Sequence, residues 1–306
     1  MEIIVLGFYE CPDLQLILFM MFLLMYLVAL LGNLTILTVI FTIPHLHTPM
    51  YYFLCNLSVL DITFISTVLP KLLDICLTGN QSITYTGCFT QMFFTIICVD
   101  AEYSLLASMA YDRYSAICHP LRYPYLMNAS LCVYLALVSW CIGFMESFMF
   151  LGMISQKYFC GPRVINHLFC ELRPLIELSC TGTQDTDLAI KITGVLFGFV
   201  PFAFIIMSYI FIISSILCIR SNDGKRKAFS TCSSHLTVVI LFFVTILGVY
   251  MRPKSTNSIK LDKVFAVLYT SCIPMFNPII YSLRNKEVKQ AVYQMRNHIV
   301  NKMGLI

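Results

Sequence analysis

A charged triplet ends a long apolar run near the middle of the chain. The run starts at about Met92 and carries no Lys or Arg before Asp112-Arg113-Tyr114. The guanidinium of Arg113 does not deprotonate, so it must be paired with an anion or solvated at the membrane edge. Such a residue suits a switch between two states. Arg113 would pair with Asp112 in one state and would be released to bind a partner in the other. An ion pair that only fixes the edge of a span would give the same pattern, and this stretch alone favours neither.

Four polar side chains lie well inside apolar runs: Asn33, Asp61, Glu102 and Asn277. Acids inside a bilayer are costly and usually functional. Two neighbouring carboxylates cannot both stay ionised without a cation, so we expect a sodium ion between Asp61 and Glu102 or a proton on one of them. A structural hydrogen-bond network is the alternative. Proton transport would need a relay of such groups through the bundle, which the sequence does not show.

A proline motif, Asn277-Pro278-Ile279-Ile280-Tyr281, lies in the last long apolar run. The proline removes a helical hydrogen bond and creates a local hinge. We expect a small rotation there to move the Tyr281 hydroxyl toward Arg113 or Tyr209. A kink that serves packing alone is the alternative.

Composition excludes several classes of protein. Of 306 residues, 58% are hydrophobic and 12% charged, which is about half the charged fraction of a soluble protein and indicates a polytopic membrane protein. The net charge of +4 gives no reason to expect a nucleic-acid partner. The sequence lacks the phosphate loop, His-Glu-x-x-His and Gly-x-Ser-x-Gly signatures, so no enzyme is predicted. His235, which follows Cys232-Ser233-Ser234, is more typical of a structural histidine than of a metal ligand.

Seven apolar runs are long enough to cross a bilayer as tilted helices. The predicted spans are 14–43, 50–73, 88–116, 131–153, 188–219, 229–250 and 261–283. The pattern over 284–296 predicts a short amphipathic helix on the inner leaflet. The fold class is therefore an all-α membrane protein, with one seven-helix domain over residues 1–306.

Basic residues and cysteines both predict the orientation. Lys225-Arg226-Lys227 and a basic C-terminal segment favour a cytoplasmic C-terminus, and therefore an extracellular N-terminus. Cys88, Cys160, Cys170 and Cys180 fall on the other side, which indicates an oxidising compartment and up to two disulfides. Spacing leaves the pairing open, and free loop thiols are the alternative.

Several strings are shared with one known family. They are Gly32-Asn33, Pro49 to Leu54 leading to Asp61, Met109 to Cys118, Ser208-Tyr209, Lys227 to Leu236 and Pro274 to Asn285. Together they resemble the rhodopsin-like G-protein-coupled receptors and, within them, the vertebrate odorant receptors. Met-Ala-Tyr-Asp-Arg-Tyr (109–114) and Lys-Ala-Phe-Ser-Thr-Cys-Ser-Ser-His (227–235) are highly specific to odorant receptors.

The resemblance implies disulfides Cys88–Cys170 and Cys160–Cys180, and a small volatile ligand held mainly by shape in the outer half of the bundle. The implied ligand-binding residues are Thr95, Ile96, Val99, Asp100, Thr193, Phe197, Phe243, Ile246, Leu247, Tyr250 and Tyr269. The implied coupling and switch residues are Asp112, Arg113, Tyr114, Tyr209, His235, Asn277, Pro278 and Tyr281. The partner would be a stimulatory olfactory-type G protein that raises cyclic AMP, and membrane lipid would surround the bundle.

Three positions depart from the family pattern. Asp100 stands where a small residue is usual; it either gives the pocket an acidic floor that favours an amine or hydroxyl-bearing ligand, or faces a neighbouring helix in its protonated form. Val244-Thr245 replaces a Gly-containing turn after Phe243. The N-terminal tail, about thirteen residues, lacks a glycosylation sequon, which leaves Asn80-Gln81-Ser82 as the outward sequon.

Two other functions fit the same helices. One is a plasma-membrane receptor for an endogenous small molecule outside the olfactory system. The other is an ion or proton transporter that uses Asp61, Asp100 and Glu102. Beyond a possible sodium ion, we expect no cofactor.

Overall fold

The helices form a bundle in the computed structural model, which describes residues 2–9, 12–250, 258–284 and 288–294. The helices are α1 (Gln15–Thr42), α2 (Pro49–Thr78), α3 (Tyr85–Cys118), α4 (Tyr123–Leu126), α5 (Ala129–Ser155), α6 (Leu172–Glu177), α7 (Gln184–Thr193), α8 (Val200–Cys218), α9 (Asn222–Tyr250), α10 (Ser258–Val267) and α11 (Ile273–Arg284). The seven spans are α1, α2, α3, α5, α7 with α8, α9, and α10 with α11. The predicted seven-helix fold class is confirmed.

Membrane-crossing capacity follows from length and composition. Among the described residues, six helical segments are long and apolar enough to cross a bilayer, and Cys232–Thr245 within α9 adds a shorter apolar stretch. α9 begins with charged residues, among them Asp223, Lys225 and Arg226, ahead of that apolar stretch.

Most helix ends, though not those of α1, lie outside the predicted spans because backbone hydrogen bonding does not stop where the apolar run stops. The second span was expected to end at residue 73, but α2 continues to Thr78 and ends at Gly79, whose φ of 71° forms a left-handed cap. The sixth was expected from residue 229, but α9 starts at Asn222. Of the predicted helix 284–296, the residues 288–294 are described and helical.

Two spans contain a π-helical turn. In the fifth, Gly194–Phe199 joins α7 to α8, and in the seventh, Leu268–Cys272 joins α10 to α11. Each π-turn inserts an extra residue into the helical repeat and so rotates the side chains on either side of it. Such turns occur frequently at functional sites.

A small sheet that the sequence analysis did not anticipate covers one end of the bundle. The N-terminal strand β1 (Glu2–Val5) is the central strand. It pairs antiparallel with β2 (Ser82–Thr84) and parallel with β3 (Val164–Ile165). The segment expected to be a short tail is therefore an ordered part of the fold.

Both disulfides implied by the resemblance lie at this end of the bundle. Cys88 pairs with Cys170, which joins the start of α3 to the long loop between α5 and α7. Cys160 pairs with Cys180 within that loop. We call this the disulfide end, and we call the opposite end, where Asp112 and Arg113 lie, the coupling end.

The N-terminal strand provides a test of the sheet, because its side chains alternate between the core and solvent. Ile3 and Val5 are 2% and 1% exposed, whereas Ile4 is 41% exposed. We expect Val5→Asp to lower the stability of the purified protein by about 2 kcal/mol or more, because it buries an unpaired charge. The thermal unfolding midpoint in detergent measures this effect.

Ile4→Asp is the matched control, with the same charge one residue away on the solvent side. It should leave the midpoint within about one degree of the parent value. Equal midpoints for the two variants would contradict the placement of β1.

Candidate functional site

Hydrogen bonds in the middle of the bundle join its first, second and seventh spans. Asn277 Nδ2 donates to both carboxylate oxygens of Asp61, at 3.2 and 3.0 Å. Asn33 Nδ2 donates to the carbonyl oxygens of Pro274 and Ala29, each at 3.0 Å. Pro278 frees its neighbours' backbone from regular helical bonding, and it packs closely on α1 at Gly32. The predicted polar residues of these three spans therefore form one buried network.

Glu102 brings the third span into the same network. Its carboxyl interacts with Asn277 and lies close enough to Asp61 to interact electrostatically. Glu102 Oε1 is buried, and so is the hydroxyl oxygen of Ser58 in the second span. Neither atom has a hydrogen-bond partner within the described residues. Two buried acids, together with the unpartnered Glu102 Oε1 and Ser58 hydroxyl, form a donor set that suits a small hard cation.

At the coupling end, two groups hold the buried Asp112 carboxylate. Arg113 Nη2 lies 3.0 Å from Asp112 Oδ2, and the Tyr123 hydroxyl donates to Asp112 Oδ1 at 2.8 Å. Burial, together with the Asp112 charge, raises the pKa of Tyr123, so its hydroxyl keeps its proton and remains a donor. Tyr123 was missed by the sequence analysis because it lies in a short connection outside the recognised motifs.

A second polar pair faces Arg113 from the fifth and sixth spans. The Tyr209 hydroxyl lies 2.7 Å from His235 Nδ1 and donates to the Cys232 carbonyl oxygen at 3.3 Å. Arg113 is close enough to Tyr209, His235 and Tyr281 to interact electrostatically with each. The structure thus brings these predicted switch residues together.

Tyr281 and Tyr114 occupy different environments. The Tyr281 hydroxyl is buried and has no hydrogen-bond partner in the described part of the chain. Tyr114, although next to Arg113, turns away: its hydroxyl lies 3.2 Å from His119 Nε2, and its ring meets Phe211 edge-on at 6.1 Å. Tyr281 is therefore placed to find a partner by a small movement, whereas Tyr114 packs on the side of the third span.

Toward the disulfide end, two predicted ligand residues lie in aromatic clusters. Phe243 is 4.4 Å from Phe202 and 5.2 Å from Tyr103 between ring centroids. Tyr269, in the second π-turn, stacks on Phe64 at 6.1 Å. Tyr103 follows Val99 by one helical turn on the third span, so helical spacing could have identified it. Phe64 and Phe202 had no comparable sequence signal.

The remaining predicted ligand residues are less closely grouped. Thr95 is buried, and its hydroxyl donates to the Gln91 carbonyl oxygen at 2.7 Å. Ile96, Val99 and Thr193 are half-buried, as is Phe197 in the first π-turn. The side chains of Ile246, Leu247 and Tyr250 lie outside the described residues.

Asp100 faces the fourth span. Its carboxyl is hydrogen-bonded to Glu146 of α5, and two carboxyl groups can share a hydrogen bond only when one carries a proton. Glu146 was missed by the sequence analysis, although an acid inside an apolar run is the same signal that identified Asp61. The contact matches the neighbouring-helix interpretation of Asp100, while recognition of an amine stays a prediction.

Close backbone contact surrounds this acid pair. Ser147 Oγ donates to the Phe93 carbonyl oxygen at 2.6 Å. A Cβ atom on Gly143 would lie 2.6 Å from the Ile97 carbonyl oxygen, so only glycine permits this approach of α5 to α3. The Asp100–Glu146 bond is therefore part of a tightly packed helix interface.

Comparison with known proteins decides the family. The family model described as olfactory receptor matches residues 22–298. The chain belongs to the olfactory receptor family. It is 48% identical to olfactory receptor 1078 of Rattus norvegicus, over 95% of this chain and 87% of the relative. It is 48% identical to olfactory receptor 1G1 of Gorilla gorilla gorilla, over 96% of this chain and 94% of that relative. It is 44% identical to olfactory receptor 6P1 of Homo sapiens, over 95% of this chain and 92% of that relative.

Family membership confirms the broad functional expectations. Olfactory receptors are non-enzymatic, multi-pass membrane receptors that signal through G proteins and respond to odorants. In this olfactory receptor chain, the motif residues Arg113, Tyr209 and His235 lie close together at the coupling end.

The glycine contact between α5 and α3 can be tested within this olfactory receptor. We expect Gly143→Ala to lower stability by about 1–3 kcal/mol, because the added methyl group overpacks the backbone of Ile97. Gly152→Ala, in the same helix with open space around its Cβ position, is the matched control and should be neutral or slightly stabilising. Thermal unfolding in detergent compares them, and a tolerated Gly143→Ala would refute the close approach.

Proposed function

We propose that this chain is an odorant receptor of the plasma membrane that activates a stimulatory G protein and raises cyclic AMP. The observation that carries the proposal is the arrangement around Arg113. Its ion pair with Asp112 is reinforced by Tyr123, and Tyr209 with His235 lies within its electrostatic reach. A permanent cation between two sets of partners is suited to switching between them.

The proposed mechanism is a shift between two states of the bundle. A ligand that binds better to the state with α9 moved away from Arg113 increases the population of that state, in proportion to its differential affinity. Movement of α9 would separate His235 from Tyr209, since these residues lie on different spans. Arg113 and the inner ends of α8 and α9 would then contact the G protein.

For orientation, we propose an extracellular N-terminus and a cytoplasmic C-terminus. Two disulfides at one end support exposure of that end to an oxidising compartment. The basic residues Lys225 and Arg226 lie at the other end, on the first turns of α9, as the positive-inside rule favours. Asn80 then faces outward as an exposed glycosylation site, with its Oδ1 accepting from the Ser82 hydroxyl at 2.9 Å.

For ligand class, we propose a small, weakly polar volatile that binds toward the disulfide end. The aromatic rings of Phe243 and Tyr269 and the half-buried Ile96 and Val99 support recognition mainly by shape. The Asp100–Glu146 pair adds one polar feature, which favours a ligand with an amine or hydroxyl group.

The decisive experiment expresses the chain with a cyclic-AMP reporter and a panel of amines, alcohols, aldehydes and acids. We expect a ligand-dependent signal in the parent chain and its loss, by at least about tenfold in amplitude, in Arg113→Ala, because the G-protein contact is removed. Tyr114→Phe is the control, since Tyr114 turns away from the Arg113 cluster; it should keep most of the signal.

Surface delivery is checked by antibody labelling of intact cells and by glycosidase treatment, with Asn80→Gln as the reference for glycan loss. Two results would refute the proposed function. One is a receptor that reaches the cell surface but responds to no member of the panel, and the other is an Arg113→Ala variant whose signal equals that of the parent chain. Ion flux without G-protein activation would instead support the transporter alternative. An amine preference that survives Asp100→Ala would refute the role of Asp100.

We further propose that sodium binds between Asp61 and Glu102. The residues fit a small cation: two buried carboxyl groups, an unfilled Glu102 Oε1 and the Ser58 hydroxyl, with no ion-pair partner for either acid among the described residues. Bound there, the ion would neutralise the acids and hold the second and third spans together.

Membrane lipid would fill the groove of about 680 Å³ bounded by α1, α2 and α5.

Sodium binding should raise the unfolding midpoint of purified receptor by about 2–4 °C when sodium chloride replaces choline chloride at equal ionic strength. Asp61→Asn should abolish the difference. Asp74→Asn, on the same helix but in an exposed pair with Lys71, is the matched control and should retain it. The absence of any sodium effect in the parent chain would exclude the site.

A further inference from the structure

One face of the third span, which carries Phe93 and Ile97, packs against α5. The Phe93 ring meets the Phe148 ring of α5 at 4.9 Å between centroids, and the Ile97 backbone is the contact that leaves no room for a Cβ atom on Gly143. At 3.6 residues per turn, Asp100 lies at the edge of this face. Asp100 therefore meets α5 from the border of the helix interface and not from its middle.

The neighbouring face of α3 borders the inside of the bundle. Helical spacing places Val99 and Tyr103 on it, and the Tyr103 ring meets the Phe243 ring of α9 at 5.2 Å. Phe94, on the opposite side of α3, is 38% exposed. Val99 and Asp100 are half-buried although they lie away from that exposed side, so they border space within the bundle. Asp100 thus lies between α5 and the proposed ligand site.

Glu146 approaches the Asp100 carboxyl from α5. Its side chain is 3% exposed and is hydrogen-bonded to Asp100. Glu146 Oε1 is buried and has no hydrogen-bond partner in the described part of the chain. The hydroxyl of Ser147, the next residue, already donates to the Phe93 carbonyl oxygen and does not serve either acid. The two carboxyl groups therefore depend on each other.

The surroundings of this pair carry no charge that would balance an ionised carboxylate. Among the described residues, Glu146 is the charged group that acts on Asp100. Glu102, two residues along α3, lies on another side of the helix and interacts with Asp61. The rings that pack together here from the fifth and sixth spans are uncharged: Phe202 and Phe243. Because an ionised acid without a cation is costly to bury, both carboxyl groups keep their protons in the free receptor.

We propose that Asp100 is the counter-ion of a primary amine ligand, that amine binding releases one proton to water, and that Glu146 is the positioning residue for Asp100. The inference rests on the proposed function and adds the amine class and its proton linkage. On binding, the Asp100 O–H bond breaks and its proton goes to water. The ligand ammonium then donates to the Asp100 carboxylate, while the Glu146 O–H continues to donate to it. The site remains neutral because one cation enters as one proton leaves.

The exchange separates two ligand classes. An alcohol bonds to the protonated pair without displacing a proton. A primary amine is an ammonium ion below about pH 10, so it displaces one proton when it binds. The amine-bound receptor then holds one proton fewer than the free receptor, and a rise in pH favours binding. One linked proton changes the apparent affinity for the amine by up to about tenfold for each pH unit.

The experiment uses the full-length receptor, the cyclic-AMP reporter, and the straight-chain primary amines of the panel with the alcohols of the same length. Half-maximal concentrations are measured at extracellular pH values from about 6 to about 8, and each signal is divided by that from direct stimulation of adenylyl cyclase at the same pH. In the parent chain, we expect the value for the amine to fall by about tenfold for each pH unit. The value for any active alcohol should change by less than about threefold over the range.

Four variants separate the roles of the two acids. Asp100→Asn should raise the half-maximal concentration of the amine by at least about tenfold and remove its pH dependence, because no carboxylate can form at the cavity. Glu146→Gln should keep the parent behaviour, since its amide N–H still donates to Asp100, whereas Glu146→Leu should lose at least about tenfold in amine potency. Asp74→Asn, at an exposed acid paired with Lys71, is the matched control and should behave as the parent chain.

Three results would overturn the inference and leave the proposed function intact. They are activation by other panel members but by no amine, an amine response whose pH dependence equals that of Asp100→Asn at the cell surface, and equal amine potency in Glu146→Leu and Glu146→Gln. If Glu146→Leu does not reach the surface, the comparison of the parent chain with Asp100→Asn decides alone. A parent chain that reaches the surface and responds to no panel member refutes the proposed function, and this inference with it.

Discussion

The bilayer allows few unpaired polar groups, and the positions of this receptor's polar residues follow from that constraint. Asn33, Asp61 and Asn277 bond to one another's helices, because no water is available to each of them alone. Asp100 finds Glu146 for the same reason. Each such bond joins two spans, so the polar residues that are most costly to bury are also the ones that fix how the helices pack.

The two ends of the bundle are held by different kinds of contact. Disulfides, strand pairing and packed rings hold the disulfide end, and none of these rearranges without breaking a bond or opening a core. The coupling end is held by an ion pair and hydroxyl hydrogen bonds, which can exchange partners without breaking a covalent bond. This difference between the ends suits a receptor that recognises a ligand by shape at the disulfide end and exchanges contacts at the coupling end.

The sequence predicted the seven spans well, because apolar composition in a membrane protein reports directly on burial in lipid. It also identified Asp61, Asn277 and Arg113, which are conspicuous as polar residues within or beside apolar runs. It did not predict β1, because a four-residue strand has too short a pattern and its partners lie far along the chain. Tyr123 was missed because its role comes from a tertiary contact, and Glu146 was missed although its placement in an apolar run could have shown it.

The place of β1 in its sheet also constrains the order in which the receptor is assembled. The central strand β1 is synthesised before both of its partners, and one of them, β3, lies beyond the fourth span. The sheet can therefore be completed only after more than half of the chain has entered the membrane. Until then Ile3 and Val5 have no core to enter, so the N-terminal segment of the nascent receptor is apolar, unpaired and dependent on the rest of the chain for its fold.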